Sequence, residues 1–187
     1  MRFHETSPSR TSRTVECFSD IHPIVGQIRV ACRETWVIGI DGFCGAGKTF
    51  VARQLSAALN ADLISTDCHV VRQGGHLCYA DRLDMVALGD LLHQAAREHR
   101  QVILEGICLL EVIERLGISR NSVCYVYVKR LSRNSGIWHD GDDLEEFDES
   151  DSTPTSIPEP HLSVLRYHKI FNPHQSADLE YRRIDHS

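Results

Sequence analysis

Gly42-Phe43-Cys44-Gly45-Ala46-Gly47-Lys48-Thr49 is the stretch whose reading decides the fold. It fits G-x-x-x-x-G-K-[ST], a loop whose backbone N–H groups turn inward around phosphate oxygens. Its flanks supply the context that such a loop requires. Trp36-Val37-Ile38-Gly39-Ile40 is apolar and reads as a buried strand, and Val51, Leu55, Ala58 and Leu59 recur at helical spacing. Strand, glycine loop, helix is the arrangement in which this motif works. Gly42, Cys44, Gly45, Ala46, Gly47, Lys48 and Thr49 are therefore the expected phosphate contacts. Lys48 can reach the β- and γ-phosphates, and the Thr49 hydroxyl can join the shell of a Mg²⁺ ion. The helix opening near Gly47 adds the positive end of its dipole.

Working outward, Ile21, Ile24, Val25 and Ile28 predict a short helix before this strand, with Pro23 in its first turn. After the loop helix, which runs to about Asn60, residues 61–67 read as a second strand ending on Asp67. Residues 69–79 read as a loop and 83–99 as a helix. Val102-Ile103-Leu104 is a third strand ending in Glu105-Gly106, followed by a helix that Gly117 stops. Val123 to Val128 is a fourth strand, apolar on both faces. Buried strands alternating with helices give an α/β fold of the P-loop NTPase kind, a doubly wound parallel sheet flanked by helices. Sites in such sheets lie at the carboxyl ends of the strands, where the loop, Asp67 and Glu105 all fall.

Residues 1–17 read as a flexible arm, since Met1 to Thr14 is polar and has no apolar signal core. Residues 18–187 read as a single domain. Between His139 and Pro160 nine acids occur with no Lys or Arg, and Pro154, Pro158 and Pro160 interrupt the chain. This stretch is expected to be a mobile acidic loop. A helix beginning near His161 and a last strand over 177–184 complete the domain.

The formal net charge of −6 and pI of about 6.0 argue against a nucleic-acid-binding face. No run approaches the roughly 18 apolar residues of a membrane span. Seven cysteines, an odd number with no C-x-x-C pair, predict reduced thiols and a cytoplasmic location. Cys44 is the one cysteine inside the loop. A helix N-terminus can lower a thiol pKa there, although a small side chain filling the loop is the favoured reading.

Phosphoryl transfer needs a phosphate cradle, a metal, an aligned hydroxyl and positive charge on the transferring group. Lys48 and Thr49 supply part of the first two. Of Asp67 and Glu105, one can hold Mg²⁺ through water and the other can orient or deprotonate a substrate hydroxyl. Asp84 is either a substrate contact or the N-cap of the following helix. Lys129, Arg130 and Arg133 follow the fourth strand and, placed over the phosphates, can stabilise transition-state charge. His69, His168 and His174 lack metal-ligand spacing, so no zinc site is expected.

At these residues the chain resembles the uridine kinase and phosphoribulokinase group of P-loop small-molecule kinases. The likeness begins in Ile38-Gly39-Ile40-Asp41-Gly42. It continues in Ser65-Thr66-Asp67-Cys68-His69, in the segment from Tyr79 through Leu83-Asp84 to Leu88, and in Leu104-Glu105-Gly106-Ile107. Lys129-Arg130-Leu131-Ser132-Arg133-Asn134 is similar to the start of the family's arginine-rich lid, and Tyr167, Pro173 and Ala177-Asp178 to its C-terminal pattern. The resemblance implies ATP with Mg²⁺ as phosphoryl donor and a small hydroxyl compound, such as a nucleoside, as acceptor. It implies catalytic roles for Asp67, Lys48, Arg130 and Arg133, and metal contacts at Thr49 and Glu105, with Glu105 near the metal or the acceptor. It places Asp67, His69, Tyr79 and Asp84 around the acceptor. The chain departs from the pattern in lacking an aromatic after Cys68, in Asn134 for a lid aspartate, in Trp138 for a lid arginine, and in the acidic stretch. The expected activity is transfer of the γ-phosphoryl group to a small-molecule hydroxyl. The alternative is a nucleotide-binding regulatory protein with a degenerate lid.

Overall fold

The structure is a computed structural model that describes residues 13–16, 21–31, 35–71, 78–148 and 157–184. Six parallel strands form one sheet: β1 (Arg13–Glu16), β2 (Val37–Asp41), β3 (Asp62–Ser65), β4 (Val102–Glu105), β5 (Val123–Leu131) and β6 (Leu179–Ile184). Their spatial order is β1-β6-β5-β2-β4-β3, so β2, which carries the phosphate loop, is central. The helices are α1 (His22–Ala31), α2 (Lys48–Leu59), α3 (Met85–Arg97), α4 (Leu109–Arg115), α5 (Gly141–Glu146) and α6 (His161–Phe171).

Strand alternation sorts the core into two layers. Ile38 and Ile40 of β2, Ile103 of β4 and Cys124, Val126 and Val128 of β5 pack with Ile24, Ile28, Val51 and Leu55 of α1 and α2. Val37, Val102, Leu104, Val123, Tyr125 and Tyr127 face the other way, onto Leu88, Leu92, Leu109, Val112, Val164 and Tyr167 of α3, α4 and α6. Both faces of the central strands are covered, which is why they read as unbroken apolar runs. Asn60 and Asn172, each in the left-handed conformation, end α2 and α6.

Several elements differ from the sequence expectation. Arg13–Glu16 is an edge strand paired in register with β6, within the stretch read as a loose arm. Its backbone bonds come from a partner at the far end of the chain, which local pattern cannot reveal. β5 runs three residues further than Val128, because Lys129, Arg130 and Leu131 stay in register with Arg182, Arg183 and Ile184. The stretch read as an acidic loop holds α5, and Leu144, Phe147 and Ile157 pack against the core. Their apolar side chains give it something to bury despite the acids around them; residues 149–156 lie outside the described residues.

Cys124 is disulfide-bonded, whereas Cys44, Cys68, Cys78 and Cys108 are free. The expectation of reduced thiols therefore fails at Cys124, and with it one argument for a cytoplasmic location. No helix among the described residues is long and apolar enough to cross a membrane.

Candidate functional site

The loop leaves β2 through a buried anchor. Asp41 is fully enclosed, and its carboxylate accepts from Gly42 N at 2.7 Å, Leu109 N at 3.2 Å, and the hydroxyls of Tyr125 and Tyr167 at 2.5 Å each. Tyr167 in turn accepts from Leu110 N at 3.0 Å. The acid thus ties the first loop residue to the N-terminus of α4, where unpaired N–H groups favour negative charge. Burial pushes the Asp41 carboxyl up, while its donors and Lys48 pull it back. Gly42 has a positive φ of 149°, and a side chain there would collide with the Val128 carbonyl.

Around the loop, Phe43 O accepts from Ala46 N at 3.2 Å and from Lys48 Nζ at 2.7 Å. Lys48 is buried and folded back across the loop, so its ammonium stands over the backbone that would cradle phosphates. Gly47, in the left-handed conformation with φ 92°, precedes α2 and leaves its first N–H groups open. Behind the loop, Phe43 stacks on His168 with ring centroids 4.0 Å apart and meets Trp138 edge-on at 5.6 Å. The Val164 carbonyl can only accept, so His168 carries its proton on Nδ1 and donates there at 2.7 Å. Its Nε2 then accepts from the Tyr127 hydroxyl at 2.6 Å. Burial lowers the His168 pKa to about 3, so the ring is neutral and serves as packing.

The predicted carboxylates arrive from neighbouring strands. Glu105, the buried last residue of β4, accepts from Ser65 Oγ at 2.6 Å and from Thr49 Oγ1 at 3.3 Å to each of its oxygens. Asp67 is exposed on the turn after β3 and accepts from the Tyr79 hydroxyl at 2.5 Å. With the phenol proton directed at Asp67, the 2.7 Å contact between Tyr79 and Thr66 is donated by Thr66. Burial, and then Asp67, raise the Tyr79 pKa, which keeps the phenol protonated. Cys44, Gly45, Gly47, Lys48, Thr49, Asp67, Tyr79, Ile107 and Pro160 line one cavity of about 340 Å³. The glycine loop and the Asp67 carboxylate thus line the same cavity.

The remaining candidates fare differently. Asp84 accepts from Ala87 N at 2.9 Å and caps α3. The His69 carbonyl accepts from Asp84 N at 2.8 Å, which holds His69 beside this turn rather than on the cavity wall. Cys44 does line the cavity, but desolvation of its sulfur outweighs Lys48 and pushes the thiol up, opposite to an activated cysteine. Lys129 is taken up by Glu180 at 2.8 Å and lies over the Trp138 ring at 4.7 Å. Arg130 reaches the loop, with Nη1 3.9 Å from where a Cβ on Gly45 would sit. Arg133 is exposed on a tight turn that Leu131 and Trp138 close as an antiparallel bridge.

Sequence reasoning gave no role to Asp41, Tyr125 or His168, and it missed Arg183. A Cβ on Gly47 would overlap the Arg183 guanidinium, whose Cζ and Cδ would lie 3.1 and 3.2 Å away. The available signal was two adjacent basic residues closing each of two strands, Lys129-Arg130 and Arg182-Arg183.

Magnesium suits this donor set. Among the described residues no three His, Cys, Asp or Glu side chains cluster to hold a metal by themselves. A hard cation that keeps several waters and takes phosphate oxygens needs no such cluster, and the Thr49 hydroxyl, Glu105 and Ser65 are all oxygen donors.

No family model matches the chain, and no curated protein does. Among solved structures, that of a possible uridine kinase from Bacillus stearothermophilus is similar, at 16% identity over 85% of this chain and 99% of that one, with a TM-score of 0.49.

Proposed function

We propose that this protein is a phosphotransferase that moves the γ-phosphoryl group of ATP to a hydroxyl of a small molecule, a nucleoside being one candidate. The observation that carries the reading is the one cavity that Lys48, Thr49 and Asp67 line together. In this reading the loop N–H groups and Lys48 hold the β- and γ-phosphates. Asp67, oriented by Tyr79, accepts the proton of the acceptor hydroxyl. The acceptor oxygen bonds to the γ-phosphorus as the bridge to the β-phosphate breaks, and ADP leaves with that electron pair. Thr49 and Glu105, with Ser65 behind them, would hold Mg²⁺, which when bound supplies charge neutralisation of the phosphates. Arg130, beside Gly45, adds charge from the strand side.

One observation favours a second reading, a nucleotide-binding regulator with little transfer. The segment after β5 is a turn closed by the Leu131–Trp138 bridge, with Trp138 packed on Phe43, and it carries Arg133 outward. ATP turnover measured against a panel of nucleosides, sugars and vitamin precursors separates the two. Turnover that appears only with an acceptor supports the transferase. Tight ATP binding with no acceptor-dependent turnover supports the regulator.

A further inference from the structure

Lys129 pairs in register with Arg182, and Arg130 with Arg183, across the parallel strands β5 and β6. Successive residues of a strand point to opposite faces, so the two basic pairs lie on opposite sides of the sheet. The first pair is compensated: Glu180 takes Lys129 Nζ at 2.8 Å and Arg182 Nε at 2.8 Å. The second pair faces the phosphate loop, Arg130 at Gly45 and Arg183 against Gly47. The Arg183 side chain makes no hydrogen bond or ion pair among the described residues. Its guanidinium lies beside the residue that opens α2, next to the start of the helix at Lys48. A cation at a helix N-terminus opposes the dipole. The sheet thus places an uncompensated guanidinium where the fold by itself disfavours one and where an anion would relieve it.

We propose that Arg183 is a polyphosphate-binding residue. With Arg130 it grips the phosphate chain of a nucleoside di- or triphosphate from the β5–β6 side, while the loop N–H groups and Lys48 hold it from the other. This rests on the reading of the loop as a nucleotide site. It adds to that reading a fixed clamp carried on strand ends, independent of any closing segment. The planar fork of arginine can bond two phosphate oxygens at once, which a lysine cannot reproduce.

The test is calorimetric binding of ATP, ADP and inorganic tripolyphosphate to the full chain and to R183A, R183K and K48A, at low and high salt. R183A should bind all three weaker by on the order of ten- to a hundredfold, the scale of a hydrogen bond to a charged group. Its binding should also depend less on salt. R183K should recover only part of the loss. The ligand-free melting temperature of R183A should equal or exceed that of the wild type, because a cation set against the α2 dipole has been removed. Unchanged affinity in R183A beside a loss in K48A overturns the clamp and leaves the loop reading intact. A lowered ligand-free melting temperature with unchanged affinity makes Arg183 a structural residue and also overturns it. Failure of the wild type to bind any of the three probes overturns both readings.

Discussion

The Tyr79 hydroxyl donates to Asp67 Oδ1 at 2.5 Å, fixing an exposed carboxylate in the cavity that it lines with Lys48 and Thr49. The bond sets the direction in which Asp67 can receive a proton. Asn at position 67 can still accept from Tyr79 but cannot act as a base. Asp67→Asn should therefore lower kcat by about 10²–10⁴-fold with little change in nucleotide affinity. Tyr79→Phe keeps the base and loses its orientation, and should cost roughly tenfold. Steady-state rates with an acceptor that supports ATP turnover check both. Wild-type rates in the Asn variant would remove Asp67 from the chemistry.

Lys48 has one partner in the free protein and is expected to gain another with nucleotide. Its bond to Phe43 O at 2.7 Å is buried, so Lys48→Ala should cost about 1 kcal/mol in the absence of ligand. The larger effect should be on the rise in melting temperature with Mg-ATP, which mass action gives any ligand of the native state. An equal rise in mutant and wild type would place the nucleotide elsewhere.

Asp41 receives four donors where Asn offers one acceptor oxygen and two N–H groups of its own. Asp41→Asn should leave at least one buried donor facing another, at a cost of about 2–4 kcal/mol by urea denaturation. Tyr167→Phe removes a single donor, leaves Leu110 N without its acceptor, and should cost about 1–2 kcal/mol. Asn as stable as the wild type would show that the carboxylate is not the anchor of the loop.

Acid should destabilise the protein through His168. Its pKa falls from an ordinary 6.5 to about 3 on folding, so the unfolded chain binds more protons between those values. The stabilisation is complete above pH 6.5 and is lost as the pH falls toward 3. Between pH 7 and pH 5 this one residue should withdraw about 2 kcal/mol. Denaturation of wild type and His168→Gln at both pH values isolates the contribution. A wild type whose acid sensitivity matches that of the Gln variant would show that His168 is not responsible.

The central strands, the loop, the acid that ends β4 and the acid just after β3 were legible because each is announced by its own neighbours. Val37–Asp41 and Val123–Val128 are apolar runs, and Gly42–Thr49 carries its glycines at fixed spacing. What stayed hidden is set by distant partners. Nothing near Asp41 in sequence announces Tyr125 and Tyr167, and nothing near Trp138 announces Phe43. Asp84 is the opposite case: its helix-cap reading was visible locally, and the side chain does cap. Arg183 needed the β5–β6 register, which a single sequence does not display.

The pairing of β1 with β6 also bears on how the chain is made. A ribosome exports Arg13–Glu16 before β2 to β5 and Leu179–Ile184 only after them. The first strand must wait, unpaired, for the sixth to emerge. Because β6 lies between β1 and β5, it is, among the described strands, the bridge from the first strand to the rest of the sheet. A nascent chain halted before Leu179 would therefore expose two open edges, those of β1 and β5, which are hazards for aggregation until the final strand closes both.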